Sequence, residues 1–539
     1  MATKTSRIKT GANAITVAAA VIGGIFAINI VANRFFGRVD LTEDGLYKLS
    51  DSSHEVVKNL PDKLIVRAYI SGSLPPPINA YGRYVRDLLD EYKNASDGKF
   101  VWEAIDPLEG TKEERDAKKE EMKKYKIQPI TLEVSKEAKV EISGDNYLGI
   151  AFVYGSEDIQ AIPQITQTEG IEYSITSIIK KLTQNKKKKI GLLSSEGELS
   201  AQQGLQLVHR VVQDFELKPL DLTKETPGDD LDALLVIGPR KAFNDKAKHD
   251  IDAFLMKGKS VAFFVDGMVI ETPNQMQMQL PGMDQPKIGR ANDVNLNDQL
   301  EKYGVKVGAD MILDDQNTIG LVQVGQQDFP ANHPVFVAIK QSGLASDSPI
   351  TGHMKALIDP FASSVELVGA LKEGKEPDVK ALALFSSSAH SWKQSGFFLF
   401  NPQAEPQRTT EAGPFPLAFT IEGKIKSAYG EASAPAGTRL LVVGDSDMLN
   451  DQHLRAMQVV PAYRSNLLFF LNTLDWLTHD EVLIALRAKG MAQRPLTVTY
   501  DGTVKTWVAL NVVGIPALLI VFGLILWRVR TARRRGIQL

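Results

Sequence analysis

The chain has 539 residues, 43% hydrophobic and 24% charged, with a formal net charge of −3 and no cysteine. At roughly 100–200 residues per domain there is room for about three folded units, and the apolar fraction excludes both a disordered chain and a polytopic membrane protein. Near-neutral charge excludes a basic nucleic-acid binder that relies on phosphate neutralisation, and the lack of thiols excludes disulfides, thiolate metal sites and cysteine nucleophiles while leaving the redox compartment unreadable.

Residues 1–9 carry Lys4, Arg7 and Lys9 and read as a short cytoplasmic N-terminus. Residues 10–33 hold no charge, and Ala14–Val31 is built of Ala, Ile, Val, Gly and Phe apart from Thr16 and Asn29. At 1.5 Å per residue the stretch reaches about 36 Å, enough for a hydrocarbon core of about 30 Å. A first transmembrane helix is expected there. A cleavable signal peptide is the competing reading, but its apolar region is normally about 7–15 residues.

Residues 34–164 are expected to form an α/β domain outside the cytoplasm. Leu64–Ile70 reads as a strand, followed by the turn Ser73-Leu74-Pro75-Pro76-Pro77. Tyr81, Tyr84, Val85, Leu88, Leu89 and Tyr92 then repeat at helical spacing, and Lys99–Asp106 is the next strand. That order is a βαβ unit with a parallel strand pair. Lys112–Lys126 is mostly charged, with Glu114/Lys118 and Glu120/Lys124 at i, i+4, and predicts a solvated helix. Strands are expected at Ile130–Val134, Lys139–Ile142 and Tyr147–Tyr154.

Residues 165–480 are expected to hold the central and C-terminal α/β region. A helix over Glu169–Leu182 presents Ile171, Ile175, Ile178, Ile179 and Leu182 as one stripe. After the Lys186–Lys189 linker come strand Ile190–Leu193, helix Ala201–Phe215, strand Ala233–Ile237, helix Asp245–Lys257 and strand Ser260–Val265. The strands are continuous apolar runs, as expected when helices cover both faces of a parallel sheet. A doubly wound sheet is predicted. Glu271–Asp293, rich in Met, Gln and Pro, reads as a long loop, followed by helix Val294–Tyr303, strand Val305–Leu313 and a β-rich stretch to about Phe385. Asn401–Pro416 and Glu431–Gly437 read as loops, and the last unit is strand Arg439–Val443, loop Gly444–Asp451 and helix Arg464–Leu477.

Residues 481–505 read as a membrane-proximal linker. Residues 506–527 are uncharged, begin and end near Trp507 and Trp527, and run into Arg528, Arg530, Arg533, Arg534 and Arg535 in the basic tail 528–539. Interfacial tryptophans and an arginine cluster predict a second transmembrane helix with a cytoplasmic tail. Two spans put both termini on one side, so the bulk of the chain is expected outside the cytoplasm, in a two-pass inner-membrane arrangement. Pro516 removes a backbone hydrogen bond and predicts a kink.

Four stretches then read together: Asp40-Leu41-Thr42-Glu43-Asp44-Gly45-Leu46-Tyr47-Lys48-Leu49-Ser50; Ile171-Glu172-Tyr173-Ser174-Ile175-Thr176-Ser177; Leu234–Pro239 leading to Phe254-Leu255-Met256-Lys257-Gly258; and Val442-Val443-Gly444-Asp445-Ser446-Asp447 with Asn466, Phe469-Phe470-Leu471-Asn472 and Asp475-Trp476-Leu477. In this order they resemble the auxiliary component family of gliding-motility-associated bacterial ABC transporters (GldG-like), over nearly the whole chain. The resemblance implies an extracytoplasmic subunit that accompanies an ABC permease and a cytoplasmic ATPase. It also implies a central sheet akin to class I glutamine-amidotransferase folds. The cysteine that such enzymes carry is missing here, so that activity is excluded.

Candidate chemistry concentrates at strand ends, where α/β proteins place ligands. Ser194, Ser195, Glu196 and Glu198 follow the Ile190–Leu193 strand and suit a cation or sugar; a capped helix start, with Ser200 preceding Ala201, explains them more simply. Gly444-Asp445-Ser446-Asp447-Met448 departs from the Gly-x-Ser-x-Gly nucleophile elbow at Met448, and Asp475 and His479 sit around one helix end, a poor relay geometry. Asp445 and Asp447 are more simply read as caps on turn amides. Gly258-Lys259-Ser260 precedes a strand instead of opening a helix, so it is no phosphate loop. No cofactor is expected. The eight histidines form no H-x-x-x-H pair and no EF-hand loop is present, so no metal site is assigned.

The leading expectation is a non-catalytic auxiliary subunit of an ABC-transporter-like complex, whose outer domains bind or gate substrate or pass ATPase-driven motion to an envelope partner. The alternatives are a stand-alone membrane-tethered scaffold or glycan-binding protein, and an envelope hydrolase using Ser446 or the strand-end carboxylates. No nucleic-acid partner is expected.

Overall fold

The computed structural model describes residues 48–76, 78–130, 146–155, 158–168, 170–183, 187–271, 287–324, 327–401, 404, 406–480, 484 and 510–535. The first span at 10–33, the strands Ile130–Val134 (beyond Ile130) and Lys139–Ile142, the middle of the 271–293 loop and nearly all of the 481–505 linker lie outside the described residues. The chain divides into two compact units, Met1–Gly490 and Met491–Leu539.

The first sheet has strand order β2-β1-β3-β4, from β1 (Leu64–Ile70), β2 (Phe100–Ile105), β3 (Leu148–Tyr154) and β4 (Asp158–Ile162). Helix α1 (Asp51–Lys58) precedes it, and α2 (Ile78–Ala95) makes the crossover between parallel β1 and β2, as the βαβ reading expects. Val85, Leu88, Leu89 and Tyr92 of α2 are buried against Leu64, Val66, Ile150 and Phe152. The charged helix α3 (Lys112–Lys124) starts at a Thr111/Glu114 capping box and buries only Met122, against Tyr69 and Tyr147 on the other face of the sheet.

Helix α4 (Ile171–Thr183) packs Ile171, Ile175, Ile179 and Leu182 into this first core, not against the second sheet. Polar contacts hold it there: the Ser50 amide donates to Glu172 Oε1 at 2.8 Å, and the Ser53 and Thr176 hydroxyls lie 2.7 Å apart. Packing therefore places α4 with the first sheet's core, although it precedes β5 directly in sequence.

The second sheet has seven strands in the order β17-β20-β21-β8-β7-β5-β6. They are β5 (Lys188–Leu193), β6 (Phe215–Leu220), β7 (Ala233–Ile237), β8 (Ser260–Phe264), β17 (Val379–Ser386), β20 (Pro416–Gly423) and β21 (Thr438–Val443). The five strands from β21 to β6 run parallel; β20 and β17 continue the sheet antiparallel. Side chains alternate between two cores, as the two-residue strand period requires. Leu235, Ile237, Phe264, Leu441 and Val443 meet α5 (Gln206–Val211) and α8 (Arg464–Leu477) on one face. Leu234, Val236, Phe263, Leu440 and Val442 meet α6 (Asp245–Met256) and α7 (Asn297–Lys302) on the other.

Short strands fill the segment between β8 and β20. β9 (Met268–Glu271), β10 (Lys287–Ala291) and β19 (Phe398–Phe400) form one small sheet; β11 (Val305–Val307) pairs β16 (Val365–Leu367); β12 (Asp310–Asp314) pairs β18 (Ser391–Ser395). β13 (Asn317–Val324), β14 (Gln327–Lys340) and β15 (Ala356–Pro360) form a three-stranded sheet, with β15 lying against α8 and the turn after β21.

Three expectations are corrected. The helix read over Ala201–Phe215 begins only at Gln206, because Gly204 takes φ +91° and closes a tight turn, and Phe215–Leu220 is strand β6. Lys287–Ala291, read as loop, is strand β10, paired with partners on either side. The strand read over Val305–Leu313 breaks at Gly308, where a Cβ would sit 2.4 Å from Ser364 Oγ.

In the second unit, a π-helical turn over Leu510–Gly514 leads into α9 (Ile515–Arg535). Pro516 thus sits in the first α-helical turn, just after the change of helix type, where its missing N–H is tolerated. Val512–Val529 has mean hydropathy 2.3 and is long and apolar enough to cross a membrane.

Candidate functional site

The carboxyl ends of β5, β7, β8 and β21 meet along one edge of the second sheet. β6 lies on one side of β5 and β7 on the other, so the strand order reverses at β5, the place where doubly wound sheets open a crevice. The turns beyond these strands are stitched together: the Leu199 amide donates to the Ile237 carbonyl at 2.8 Å, Gly238 to Phe264 at 2.9 Å and Val265 to Val443 at 3.0 Å. Gly238, at φ +65°, lets the β7 turn pass beneath Ser446; a Cβ there would lie 2.8 Å from Ser446 Oγ.

Four aspartates converge on this edge. Asp266 follows β8, Asp445 and Asp447 follow β21, and Asp359 arrives from β15 of the neighbouring sheet. Asp266 is buried and accepts the Ser446 amide at 2.5 Å, the Ser446 hydroxyl at 2.8 Å, and the Arg240 guanidinium from the β7 turn. Burial raises its pKa even though Arg240 opposes the rise. Burial works against the Arg240 charge, but Asp266, Asp447 and Asp445 outweigh it and hold the guanidinium ionised.

Asp445 accepts the Asp447 and Met448 amides at 2.8 and 2.7 Å, the cap the sequence predicts. Yet burial, followed by the charges of Asp359, Asp447 and Asp266, pushes its pKa well up. Asp359 is 0% exposed, and neither of its oxygens receives an N–H or hydroxyl donor; its partner is the Asp445 carboxyl. Burial pushes Asp359 up to about 7. His453 Nε2 lies 3.9 Å from Asp447 Oδ1, and burial lowers the His453 pKa, so the ring packs neutral against Phe361 and Phe336.

The other predicted group lies on the β5 side. The Glu196 carbonyl accepts the Arg240 and Lys241 amides at 2.9 Å, and the Glu198 carboxyl accepts the Glu196 amide at 2.6 Å. Burial raises both glutamate pKa values. Ser195 Oγ and Glu198 Oε1 are buried without a hydrogen-bond partner, while Ser194 is exposed, its hydroxyl reaching the Leu220 carbonyl at 3.3 Å. Arg240 joins the two groups: its backbone binds Glu196 and its side chain binds Asp266.

Arg240, Asp266 and Asp359 were not singled out from sequence. Applying the strand-end rule to β7 and β8, as to β5 and β21, would have found the first two. No local pattern marks Asp359, because its strand belongs to another sheet.

The hydrolase geometry does not assemble. Ser446 is fully buried and donates to Asp266. Asn466, which donates to the Met448 carbonyl, stands nine residues before Asp475 on α8, about 14 Å along the helix axis. Asp475 and His479 are therefore at the wrong end of α8 to relay a proton from Ser446. Open space adjoins the edge on the α6/α7 side, a cavity of about 150 Å³ lined by Asp266, Gly267, Asn292, Asp293, Asn297 and Asp298 among others. Among the described residues no group of three or more His, Asp or Glu side chains is arranged to hold a metal ion.

Comparison with known proteins adds to this geometry. The family model described as an ABC-type uncharacterized transport system matches residues 187–477, from just before β5 to the end of α8. A second model, described as a domain of unknown function, matches residues 43–153. An uncharacterized protein of Borreliella burgdorferi is 24% identical over 518 residues, covering 92% of this chain and 93% of its own length. The solved mmIFT52 N-terminal domain aligns with 54% of this chain and 97% of its own at 16% identity and a TM-score of 0.33.

Proposed function

Because the chain belongs to the auxiliary family of ABC-type transport systems, we propose that it is a non-catalytic, membrane-anchored auxiliary subunit working beside an ABC permease and a cytoplasmic ATPase. The observation that carries this reading is the family match across the whole doubly wound region, in a chain that also has a membrane-length apolar helix at Val512–Val529. The GldG-like motifs and the uncharged stretch 10–33 support a two-pass arrangement with the bulk of the chain outside the cytoplasm. The arginines from Arg528 to Arg535 support a cytoplasmic C-terminus in a bacterial inner membrane.

The five parallel strands in 2-1-3-4-5 order are in keeping with the amidotransferase-like likeness. A partner ATPase is required by this reading. Gly258-Lys259-Ser260 closes α6 and enters β8, so its amides do not open a helix onto phosphate. In this role the outer domains bind or gate substrate, or pass motion to an envelope partner or glycan. Ser194, Ser195, Glu196, Glu198, Asp445, Ser446 and Asp447 are the candidate interaction residues.

The test is purification of the tagged chain from its native membrane in mild detergent, with mass spectrometry of what accompanies it. Stoichiometric recovery of a permease and an ATPase is expected. Recovery of the chain alone, with control membrane complexes intact, overturns the proposal in favour of a tethered scaffold.

A further inference from the structure

We infer that Asp359 and Asp445 form a proton-operated latch fastening the β13–β15 sheet to the carboxyl edge of the parallel sheet. The inference is independent of membrane topology and of the transport partners, because both residues lie within one compact unit.

The argument begins with donors. Asp359, the penultimate residue of β15, is wholly buried, and no N–H or hydroxyl reaches either oxygen. Its neighbour is a second carboxyl, Asp445, which already takes two backbone amides. Two ionised carboxylates cannot rest together in a dry interior without a cation, whereas one shared proton turns the repulsion into a hydrogen bond. That proton belongs to the pair rather than to either residue.

The surroundings hold the proton in place. The β8 turn contributes Asp266 and the β21 turn Asp447, both adding negative charge. The β7 turn contributes Arg240, which is paired with Asp266. The helical turn over Asp451–Leu454 contributes His453, kept neutral by burial. From α8 comes the uncharged amide of Asn466.

Mechanical consequence follows from the neighbours in sequence. Ile358 is clamped by Asn466, and the Ser363 amide donates to the Gly444 carbonyl at 2.8 Å. Asp359 therefore sits midway along the seam between the two sheets. When the proton leaves to bulk water, two charges face each other across that seam and β15 is pushed from the β21 turn.

The experiment uses the full chain in detergent micelles, titrated from about pH 5 to about pH 9. Two readouts are followed: the infrared C=O stretch of a protonated carboxyl, and hydrogen exchange of peptides covering 356–363 and 444–450, corrected for the intrinsic rate. Expected is loss of a protonated-carboxyl band as pH rises through neutrality, with exchange in both peptides accelerating about tenfold per pH unit beyond it. Asp359→Asn, whose amide can donate to an ionised Asp445, is expected to abolish the titrating band and keep exchange slow throughout. If that variant does not fold, Asp445→Asn replaces it for the infrared band, and the wild-type titration decides alone. Exchange at the seam that is independent of pH, or a titrating band unchanged in a folded variant, overturns the latch.

Discussion

At Gly267 the backbone passes so near the break between β11 and β12 that a Cβ built there would lie 1.8 Å from the Gly308 carbonyl oxygen. That contact is backbone on backbone, so no side chain can swing away. Gly267→Ala is expected to cost about 3 kcal/mol, read as a lower thermal unfolding midpoint, whereas Gly430→Ala, with nothing within 4 Å, should stay within about 0.5 kcal/mol of wild type. Ser446 makes a different residue-scale case. Its hydroxyl is one of several donors on buried Asp266, so Ser446→Ala should cost about 1–2 kcal/mol and should not abolish in-cell complementation, because the Ser446 amide and Arg240 still reach Asp266. Complete loss of function in a folded Ser446→Ala protein would restore the nucleophile reading. The Asp359 carboxyl, raised to about 7 in the folded state, stabilises the fold fully below the ordinary aspartate value of about 3.9 and stops doing so as pH climbs through neutrality.

Between elements, one amide holds three segments. Asn466 Oδ1 accepts the Ile358 amide at 3.1 Å while Nδ2 donates to the Ile358 and Met448 carbonyls at 2.8 and 2.9 Å, joining α8, β15 and the β21 turn. Asn466→Ala strands three buried backbone groups and is expected to destabilise by about 3 kcal/mol, measurable by chemical denaturation of the full chain. Element boundaries show what the sequence conveys. β1, β7 and α8 have the predicted limits and β8 nearly so, because a continuous apolar run or a helical stripe is a local signal. β10 escaped because its partners, Met268–Glu271 and Phe398–Phe400, lie on either side of it, the second more than a hundred residues away. Helix α4 was legible as a helix, but its stripe does not say which sheet it will meet.

For the molecule as a whole, the absence of cysteine makes topology measurable with a single added thiol. Lys187 is exposed just before β5. Lys187→Cys is expected to react with a membrane-impermeant thiol reagent in spheroplasts whose inner membrane is intact. Labelling only after that membrane is broken would invert the proposed arrangement.

Composition and periodicity by themselves determined the α/β class, the parallel apolar strands, the membrane-length C-terminal helix and the exclusion of thiol chemistry, because each is a property of neighbouring residues. They also placed Asp445, Ser446 and Asp447 in a turn at a strand end, where the structure has them. Only the tertiary structure decided that Arg240, Asp266 and Asp359 join them, that Ser446 is a buried donor, and that α4 closes the first sheet. Those outcomes depend on which elements distant in the chain come to share one core. A side chain's spacing encodes the face it occupies, but not the identity of what will be packed against it.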